Sequence, residues 1–154
     1  MNNKTALIFG VNGQDGSYLS ELLIKKGYKE VHGVIRRASV NNTNERLGNI
    51  IIANNFHVLE GDITDLSSVA DIVDDTQPDE VYNLAAQSHV ATSFKQPAAT
   101  WNSNAQGVQN ILEAIRRKKS NARFYQASTS EMFGSIIDDD GYQRETTELS
   151  PNSP

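Results

Sequence analysis

Short apolar runs alternate along the chain with longer segments whose hydrophobic residues recur every three or four positions. The runs predict strands, and the recurring hydrophobic residues between them predict amphipathic helices. The predicted strands are 6–9, 31–35, 56–59, 80–84 and 123–127. The helical spacing is clearest at Leu19, Leu22, Leu23 and Ile24, at Val69, Ile72 and Val73, and at Val108, Ile111, Leu112 and Ile115. This alternation predicts right-handed βαβ units and therefore a doubly wound α/β fold with a parallel sheet.

The composition narrows the function classes. The chain has 154 residues, a net charge of −5 and no cysteine. The absence of cysteine excludes disulfides, thiolate metal sites and thiol nucleophiles, and it favours a reducing, cytoplasmic environment. An acidic chain is a poor general nucleic-acid binder, and no apolar run approaches the ~20 residues of a membrane helix. His32, His57 and His89 share no metal-ligand spacing, so we expect no metal.

A glycine-rich loop joins the first predicted strand to the first helix. It has the pattern Gly-x-x-Gly-x-x-Gly over positions 10–16. Glycines there allow a tight turn, a close approach of the backbone to a pyrophosphate, and close packing of the helix on the sheet. Three glycines can also mark only a tight turn, but the free N–H groups of the helix N-terminus favour phosphate. We therefore predict a dinucleotide site formed by Gly10, Val11, Asn12, Gly13, Gln14, Asp15 and Gly16.

The residues after the second predicted strand bear on which dinucleotide is bound. NAD-binding loops carry an acidic residue about 20 positions after the glycine loop, which holds the ribose 2′-hydroxyl. Here the strand leads instead into Arg36, Arg37, Ala38 and Ser39. Two arginines and a serine suit a 2′-phosphate through charge-assisted hydrogen bonds, so the sequence favours NADP over NAD. Alternatively, one of the two arginines is a surface or subunit-contact residue, and Arg37 is the stronger candidate for that role.

Two later segments are expected to complete the cofactor site. Asp62 can accept a hydrogen bond from the adenine amino group, with Ile63 against the ring; alternatively, Asp62 only caps the next helix. The other candidate caps of that helix are Thr64 and Asp65. Small residues after the fourth strand let the cofactor cross the carboxyl edge of the sheet, where ligands bind in this architecture. That segment is Leu84, Ala85, Ala86, Gln87 and Ser88.

Hydroxyls and a carboxylate follow the fifth predicted strand, at the same edge of the sheet. They belong to Thr129, Ser130 and Glu131. A hydroxyl can hydrogen-bond a sugar hydroxyl during its oxidation, and a carboxylate can take or return a proton. By itself, however, a Ser-Thr-Ser-Glu string is also a helix-capping pattern.

Five segments together resemble the extended short-chain dehydrogenase/reductase family and, within it, the GDP-mannose 4,6-dehydratases. The glycine loop is common to the whole superfamily. The strings Gln-Asp-Gly-Ser-Tyr-Leu, Ala-Gln-Ser-His-Val and Gln-Ala-Ser-Thr-Ser-Glu are far more specific to these dehydratases. The segments are 13–19, 32–37, 61–65, 82–90 and 124–134.

The resemblance implies a Rossmann-like NADP-binding domain over 1–154, with an irregular tail over 138–154. It also implies a homo-oligomer, a dimer or tetramer. The implied reaction dehydrates GDP-mannose, or a related nucleotide sugar, to a 4-dehydro-6-deoxy sugar. Thr129 would assist at the C4 hydroxyl, Ser130 would orient the substrate, and Glu131 would be the acid and base at C5 and C6. The alternatives are a nucleotide-sugar reductase or epimerase of the same family, or a non-catalytic NADP-binding module.

Two features depart from the family pattern. No tyrosine in the chain has a lysine four positions later, so the family's Tyr-x-x-x-Lys pair is absent. The closing Pro-Asn-Ser-Pro resembles the stretch that precedes that tyrosine, so we expect this chain to lack the substrate domain and to be inactive alone. In addition, Ala99 and Asn104 stand where such dehydratases more often have tyrosine and aspartate. Asn104 and Gly107 have the spacing of other sugar-nucleotide enzymes of the superfamily.

Overall fold

A five-stranded parallel sheet organises the described part of the chain. The computed structural model describes residues 2–37, 46–118 and 121–154. Its five strands lie in the order β3-β2-β1-β4-β5, and all of their pairings are parallel. This order confirms the predicted doubly wound α/β fold. The strands are β1 (Asn2–Phe9), β2 (Tyr28–Ile35), β3 (Phe56–Glu60), β4 (Glu80–Asn83) and β5 (Arg123–Gln126).

Helices cover both faces of the sheet. Leu7 and Phe9 of β1 pack in one core with helices α2 and α5, whereas Ala6 and Ile8 pack in the other with α1. The division follows from the strand itself, because successive side chains point to opposite faces. The helices are α1 (Gln14–Lys25), α2 (Leu66–Thr76), α3 (Val90–Lys95), α4 (Pro97–Trp101) and α5 (Gly107–Arg117), with a π-helical turn at Asn102–Gln106 between the last two.

The structure tests several smaller predictions about helix caps, short helices and the exposure of Trp101. Asp65 caps α2, and its side chain accepts hydrogen bonds from the backbone N–H groups of Ser67 and Ser68. The short helix α3 was not predicted, since its apolar residues are too few to show a helical period. A helix is also predicted at Trp101 and is confirmed by α4. A tryptophan on such a helix is expected to pack in the core, but the Trp101 side chain is 67% exposed, so that expectation is wrong. Residues 135–154 form turns without regular secondary structure.

A carboxylate at the amino end of β4 is nearly buried. Glu80 is 8% exposed, and it accepts hydrogen bonds from Lys4 Nζ at 2.6 Å and from the hydroxyls of Tyr28 and Tyr82 at 2.7 Å each. Burial acts to raise the pKa of Glu80, but the three hydrogen bonds outweigh it and lower the pKa to about 2. The cluster ties β1, β2 and β4 together at the end of the sheet opposite the carboxyl edge.

Replacing Glu80 with glutamine should therefore lower the free energy of unfolding by roughly 3 kcal/mol at neutral pH. A carboxyl whose pKa is depressed in the folded state stabilises it above its ordinary pKa and loses that effect as pH falls. The difference between wild type and Glu80→Gln should thus be full above pH 4.5 and vanish towards pH 2. Urea denaturation at a series of pH values measures it. Glu21→Gln, which removes an exposed pair with Lys25, is the control and should change little.

Candidate functional site

A cavity of ≈ 510 Å³ opens at the carboxyl edge of the sheet. It lies where chain connections leave β1 and β4 for opposite faces of the sheet, the position at which open α/β sheets bind ligands. The predicted cofactor residues that line it come from four loops, one after each of β1 to β4. They are Gly10, Asn12, Gly13, Arg36, Asp62, Ile63, Leu84, Ala85, Ala86, Gln87 and Ser88.

The three glycines of the loop have distinct structural roles. Gly10 has φ +80°, and a Cβ atom there would lie 2.8 Å from the backbone nitrogen of Ala85. A Cβ atom at Gly16 would lie 2.5 Å from the carbonyl oxygen of Gly10, so this glycine lets α1 pack on the loop. Gly13 is the N-cap residue of α1 and supplies no side-chain cap. The first N–H groups of α1 therefore remain available at the loop.

Several predicted cofactor residues do not line this cavity, namely Val11, Gln14, Asp15, Gly16 and Arg37. Val11 is fully buried in the core against Gly33. Arg37 is 89% exposed at its side chain, with Nε 3.9 Å from a carboxylate oxygen of Glu60. Two further predicted residues, Ala38 and Ser39, lie outside the described residues.

Asp62 does not cap α2, because Asp65 does. Its Oδ1 atom instead accepts hydrogen bonds from the backbone N–H of Thr64 at 2.9 Å and from the Thr64 hydroxyl at 2.8 Å. The neighbouring Ile63 is buried, and its carbonyl accepts a hydrogen bond from Asn110 of α5 at 2.8 Å. These contacts fix the loop after β3 at the rim of the cavity.

A second cavity of ≈ 490 Å³ adjoins the first. Residues 85–89 line both cavities and so form a shared wall. Of the predicted catalytic residues, Thr129 and Glu131 line the second cavity, whereas Ser130 does not. The fold thus brings the hydroxyl and the carboxylate next to the wall of the glycine-loop cavity, as the sequence predicts for residues at one edge of a parallel sheet.

The Thr129 hydroxyl also caps a short 3₁₀-helix, Ser130–Phe133. Its Oγ1 accepts a hydrogen bond from the backbone N–H of Glu131 at 3.2 Å. The capping interpretation is therefore correct for Thr129, and it coexists with the position of this residue at the cavity. Ser128, which precedes it, has φ +57°. Left-handed backbone is uncommon outside glycine and is found at ligand sites, where the surrounding structure holds it.

Asn104, on the π-helical turn, clamps the shared wall. Its Oδ1 accepts a hydrogen bond from the backbone N–H of Gln87 at 2.8 Å, and its Nδ2 donates one to the carbonyl of Gln87 at 2.9 Å. The Gln87 side chain in turn accepts a hydrogen bond from the N–H of His89 and donates one to Thr100. The side-chain amide of Asn104 suits this pair of hydrogen bonds, because the Gln87 N–H is a donor and the Gln87 carbonyl is an acceptor.

Sequence reasoning missed one polar pair at this edge. Asn83 and Gln126 are the last residues of β4 and β5, and they are paired in the parallel register. Asn83 is fully buried, and its Nδ2 donates a hydrogen bond to Gln126 Oε1 at 2.8 Å. Gln126 lines the second cavity. Polar residues at the carboxyl ends of two neighbouring strands are the signal that could have found them.

Neither a metal-ligand cluster nor a membrane-spanning helix is found in the described ranges. Over 2–37, 46–118 and 121–154, no three His, Asp or Glu side chains converge as metal ligands would. Within the same ranges, no helix has the length and hydropathy to cross a membrane.

Comparison with known proteins assigns the family. The family model for GDP-mannose 4,6 dehydratase matches residues 7–154 of this chain. The chain belongs to the GDP-mannose 4,6-dehydratase family. Among relatives of this family, the dehydratase of Vibrio cholerae serotype O1 is 49% identical, over all of this chain and 42% of its own length. That of Drosophila melanogaster is 47% identical, over 99% of this chain and 40% of its own length. The chain thus spans about two fifths of these relatives.

Two solved structures with bound NAD have the same fold. The Bordetella bronchiseptica enzyme WbmH, in complex with NAD+, has a TM-score of 0.80 at 27% identity over 99% of this chain and 48% of its own. The UDP-glucose 4-epimerase of Thermus thermophilus, in complex with NAD, has a TM-score of 0.81 at 25% identity. The match covers 97% of this chain and 45% of the epimerase chain. These similarities place this GDP-mannose 4,6-dehydratase family member among Rossmann-fold enzymes.

Proposed function

We propose that residues 1–154 form one domain that binds a nicotinamide dinucleotide across the two adjoining cavities. Gly10, Gly13 and the first N–H groups of α1 would hold the pyrophosphate, with Val11, Gln14, Asp15 and Gly16 shaping that loop. The adenine end would lie by Asp62 and Ile63, and the nicotinamide end would pass the shared wall into the second cavity. Support comes from the wall that the two cavities share and from the NAD complexes of the two similar enzymes.

The cofactor that fits the residues present is NADP. Arg36 lines the first cavity, at the end of β2 where the adenosine ribose of a bound dinucleotide would lie. An arginine there can pair with a 2′-phosphate. Arg37 points elsewhere, towards Glu60, and fits the alternative of a surface residue. Ala38 and Ser39 remain candidates to flank the phosphate.

Arg36→Asp should therefore weaken NADP binding by about 10–100-fold, since a hydrogen bond to a charged group contributes about 1.5–3 kcal/mol. NAD binding should be retained or improved, because aspartate can accept a hydrogen bond from the free 2′-hydroxyl. Fluorescence titration with NADPH and with NADH measures the ratio of the two dissociation constants. Arg37→Asp is the matched control and should leave the ratio close to wild type. An unchanged NADP affinity in Arg36→Asp would remove Arg36 from the 2′-phosphate site.

We further propose that the whole protein dehydrates GDP-mannose to GDP-4-dehydro-6-deoxy-mannose. The observation that carries this proposal is that Thr129 and Glu131 line a cavity sharing a wall with the glycine-loop cavity. When bound, the nicotinamide supplies a hydride acceptor for C4 and later a hydride donor for C6. A reductase needs no carboxylate acid and base of this kind, so the Thr-Ser-Glu string favours the dehydratase.

The chain's own residues would orient the sugar and move its protons. The Thr129 hydroxyl would hydrogen-bond the C4 hydroxyl during oxidation, and Ser130 would orient the substrate from the neighbouring turn. The C4 ketone acidifies the C5 proton, which the Glu131 carboxylate would take. The same proton would then go to the C6 hydroxyl, which leaves as water. The proton that the C4 hydroxyl releases to solvent during oxidation is balanced by the one that C5 takes up from solvent after hydride returns to C6. The reaction consumes no net cofactor.

Incubation of the complete protein with GDP-mannose and catalytic NADP tests this function. A 4-keto-6-deoxy sugar formed without net NADPH supports the dehydratase. Net consumption of NADPH would indicate a reductase, an altered sugar configuration at C4 would indicate an epimerase, and binding without turnover would indicate a non-catalytic module. The proposal extends to a cytoplasmic homo-oligomer, a dimer or tetramer whose substrate domain lies outside residues 1–154. Light scattering on the complete protein measures its mass.

A further inference from the structure

Gln126 is a polar residue of the second cavity to which the proposed reaction gives no role. It ends β5, next to the segment that carries Ser128, Thr129 and Glu131, and lines the same cavity as those three residues. Its Oε1 atom accepts a hydrogen bond from Asn83 Nδ2 at 2.8 Å. Within the described part of the chain, its Nε2 atom has no hydrogen-bond partner.

The orientation of the Gln126 amide follows from a backbone group. The N–H of Ala85 can only donate, and it donates to Asn83 Oδ1 at 3.2 Å. Asn83 must therefore direct its Nδ2 atom, a donor, towards Gln126. Gln126 meets that donor with its oxygen, so its Nε2 atom is on the side away from Asn83.

The buried position of Asn83 makes this orientation firm. Asn83 is 0% exposed, and its own carbonyl accepts a hydrogen bond from the N–H of Ala127 at 3.2 Å. Turning either amide over would place two donors or two acceptors face to face beside a core strand. An unsatisfied buried polar group costs about 1–3 kcal/mol, which disfavours the turned arrangement.

We propose that Gln126 is a ligand-binding residue whose Nε2 group donates a hydrogen bond to a neutral oxygen atom of the ligand in the second cavity. The inference deepens the proposed function and rests on it. Two oxygens fit this chemistry, the carboxamide oxygen of the nicotinamide and a hydroxyl oxygen of the hexose. Asn83 is then a positioning residue, which acts by setting which end of the Gln126 amide faces the ligand.

Gln126→Glu in the complete protein tests this directly. The variant keeps an oxygen for the Asn83 hydrogen bond and keeps the side-chain shape, but it replaces the Nε2 donor with a second acceptor. Thermal stability should stay close to wild type. Either the NADP dissociation constant should rise, or kcat/KM for GDP-mannose should fall, by about tenfold or more. The first result assigns the acceptor to the nicotinamide, and the second, with NADP affinity unchanged, assigns it to the hexose.

Asn83→Asp supplies a second, independent variant. Aspartate can still accept from the Ala85 N–H but cannot donate, so the Gln126 amide should turn and direct its oxygen into the cavity. The same binding or kinetic parameter should then be affected, although Gln126 itself is unchanged. Gln109→Glu adds the same charge on the exposed face of α5, outside both cavities, and is the matched control.

The results separate this inference from the function on which it rests. Wild-type protein that neither binds NADP nor converts GDP-mannose overturns the proposed function and the role of Gln126 together. An active wild type whose Gln126→Glu variant keeps NADP affinity and kcat/KM within about twofold overturns the role of Gln126 alone.

Discussion

Glu131→Gln in the complete protein should reduce the formation of the dehydrated sugar by about 10²–10⁴-fold, the usual contribution of a general acid or base. Glutamine has the shape of glutamate but can neither take the C5 proton nor return one to the C6 hydroxyl. The Glu131 side chain is exposed at the second cavity. The hydrogen bond that Glu131 donates to the Thr129 hydroxyl comes from its backbone N–H and is therefore kept in the variant. The fold should therefore be retained, and product analysis by mass spectrometry measures the effect.

NADP binding should be unchanged in this variant, which separates proton transfer from cofactor capture. Glu145→Gln is the matched control, because Glu145 is exposed and lines neither cavity. Normal dehydration by Glu131→Gln would remove Glu131 as the acid and base. The cavity would then need another proton carrier.

Gly10→Ala should lower the free energy of unfolding by about 3 kcal/mol or more and should weaken dinucleotide binding. Two separate costs add. A left-handed backbone disfavours alanine by about 1–2 kcal/mol, and the new Cβ would lie within 2.8–2.9 Å of backbone atoms of Leu84 and Ala85. Because those atoms belong to the backbone that leaves β4, they cannot move without disturbing the sheet. Urea denaturation measures the loss.

Gly141→Ala provides the comparison that separates the two costs. Gly141 has φ +83°, almost the value of Gly10, but a Cβ atom there meets nothing within 4 Å. This variant should show the backbone cost alone, and the excess in Gly10→Ala should report the overlap with Leu84 and Ala85. Equal losses in the two variants would show that the close approach at Gly10 contributes nothing to stability.

The regular elements could be predicted because their signals are local. Strands such as 6–9 are apolar throughout, as strands buried on both faces must be, and α5 repeats its hydrophobic residues at helical intervals. The glycine loop was predictable because a left-handed turn followed by a close helix leaves few alternatives to glycine. The dehydratase resemblance came from longer strings, and the family match over residues 7–154 agrees with it.

The contacts that set the site could not be predicted, because they join residues far apart in sequence. Asn104 and Gln87 are 17 positions apart, and Asn83 and Gln126 are 43 apart. The pairing of Asn83 with Gln126 depends on strand register, and the contact of Asn104 with Gln87 depends on a π-helical turn. Neither feature has a reliable local sequence pattern. Arg36 lines the first cavity and Arg37 does not, and this difference likewise depends on the direction that each side chain takes after β2.

The direct contact between Gly10 and the segment after β4 has a consequence for ligand affinity. Together with the packing of Val11 on Gly33, it holds the glycine loop to the backbone of β2 and to the segment after β4 before any ligand arrives. A loop that is already ordered loses little conformational entropy on binding, so more of the contact energy is expressed as affinity. Preorganisation of this kind would raise the affinity of a loop that contacts the proposed dinucleotide mostly through its backbone.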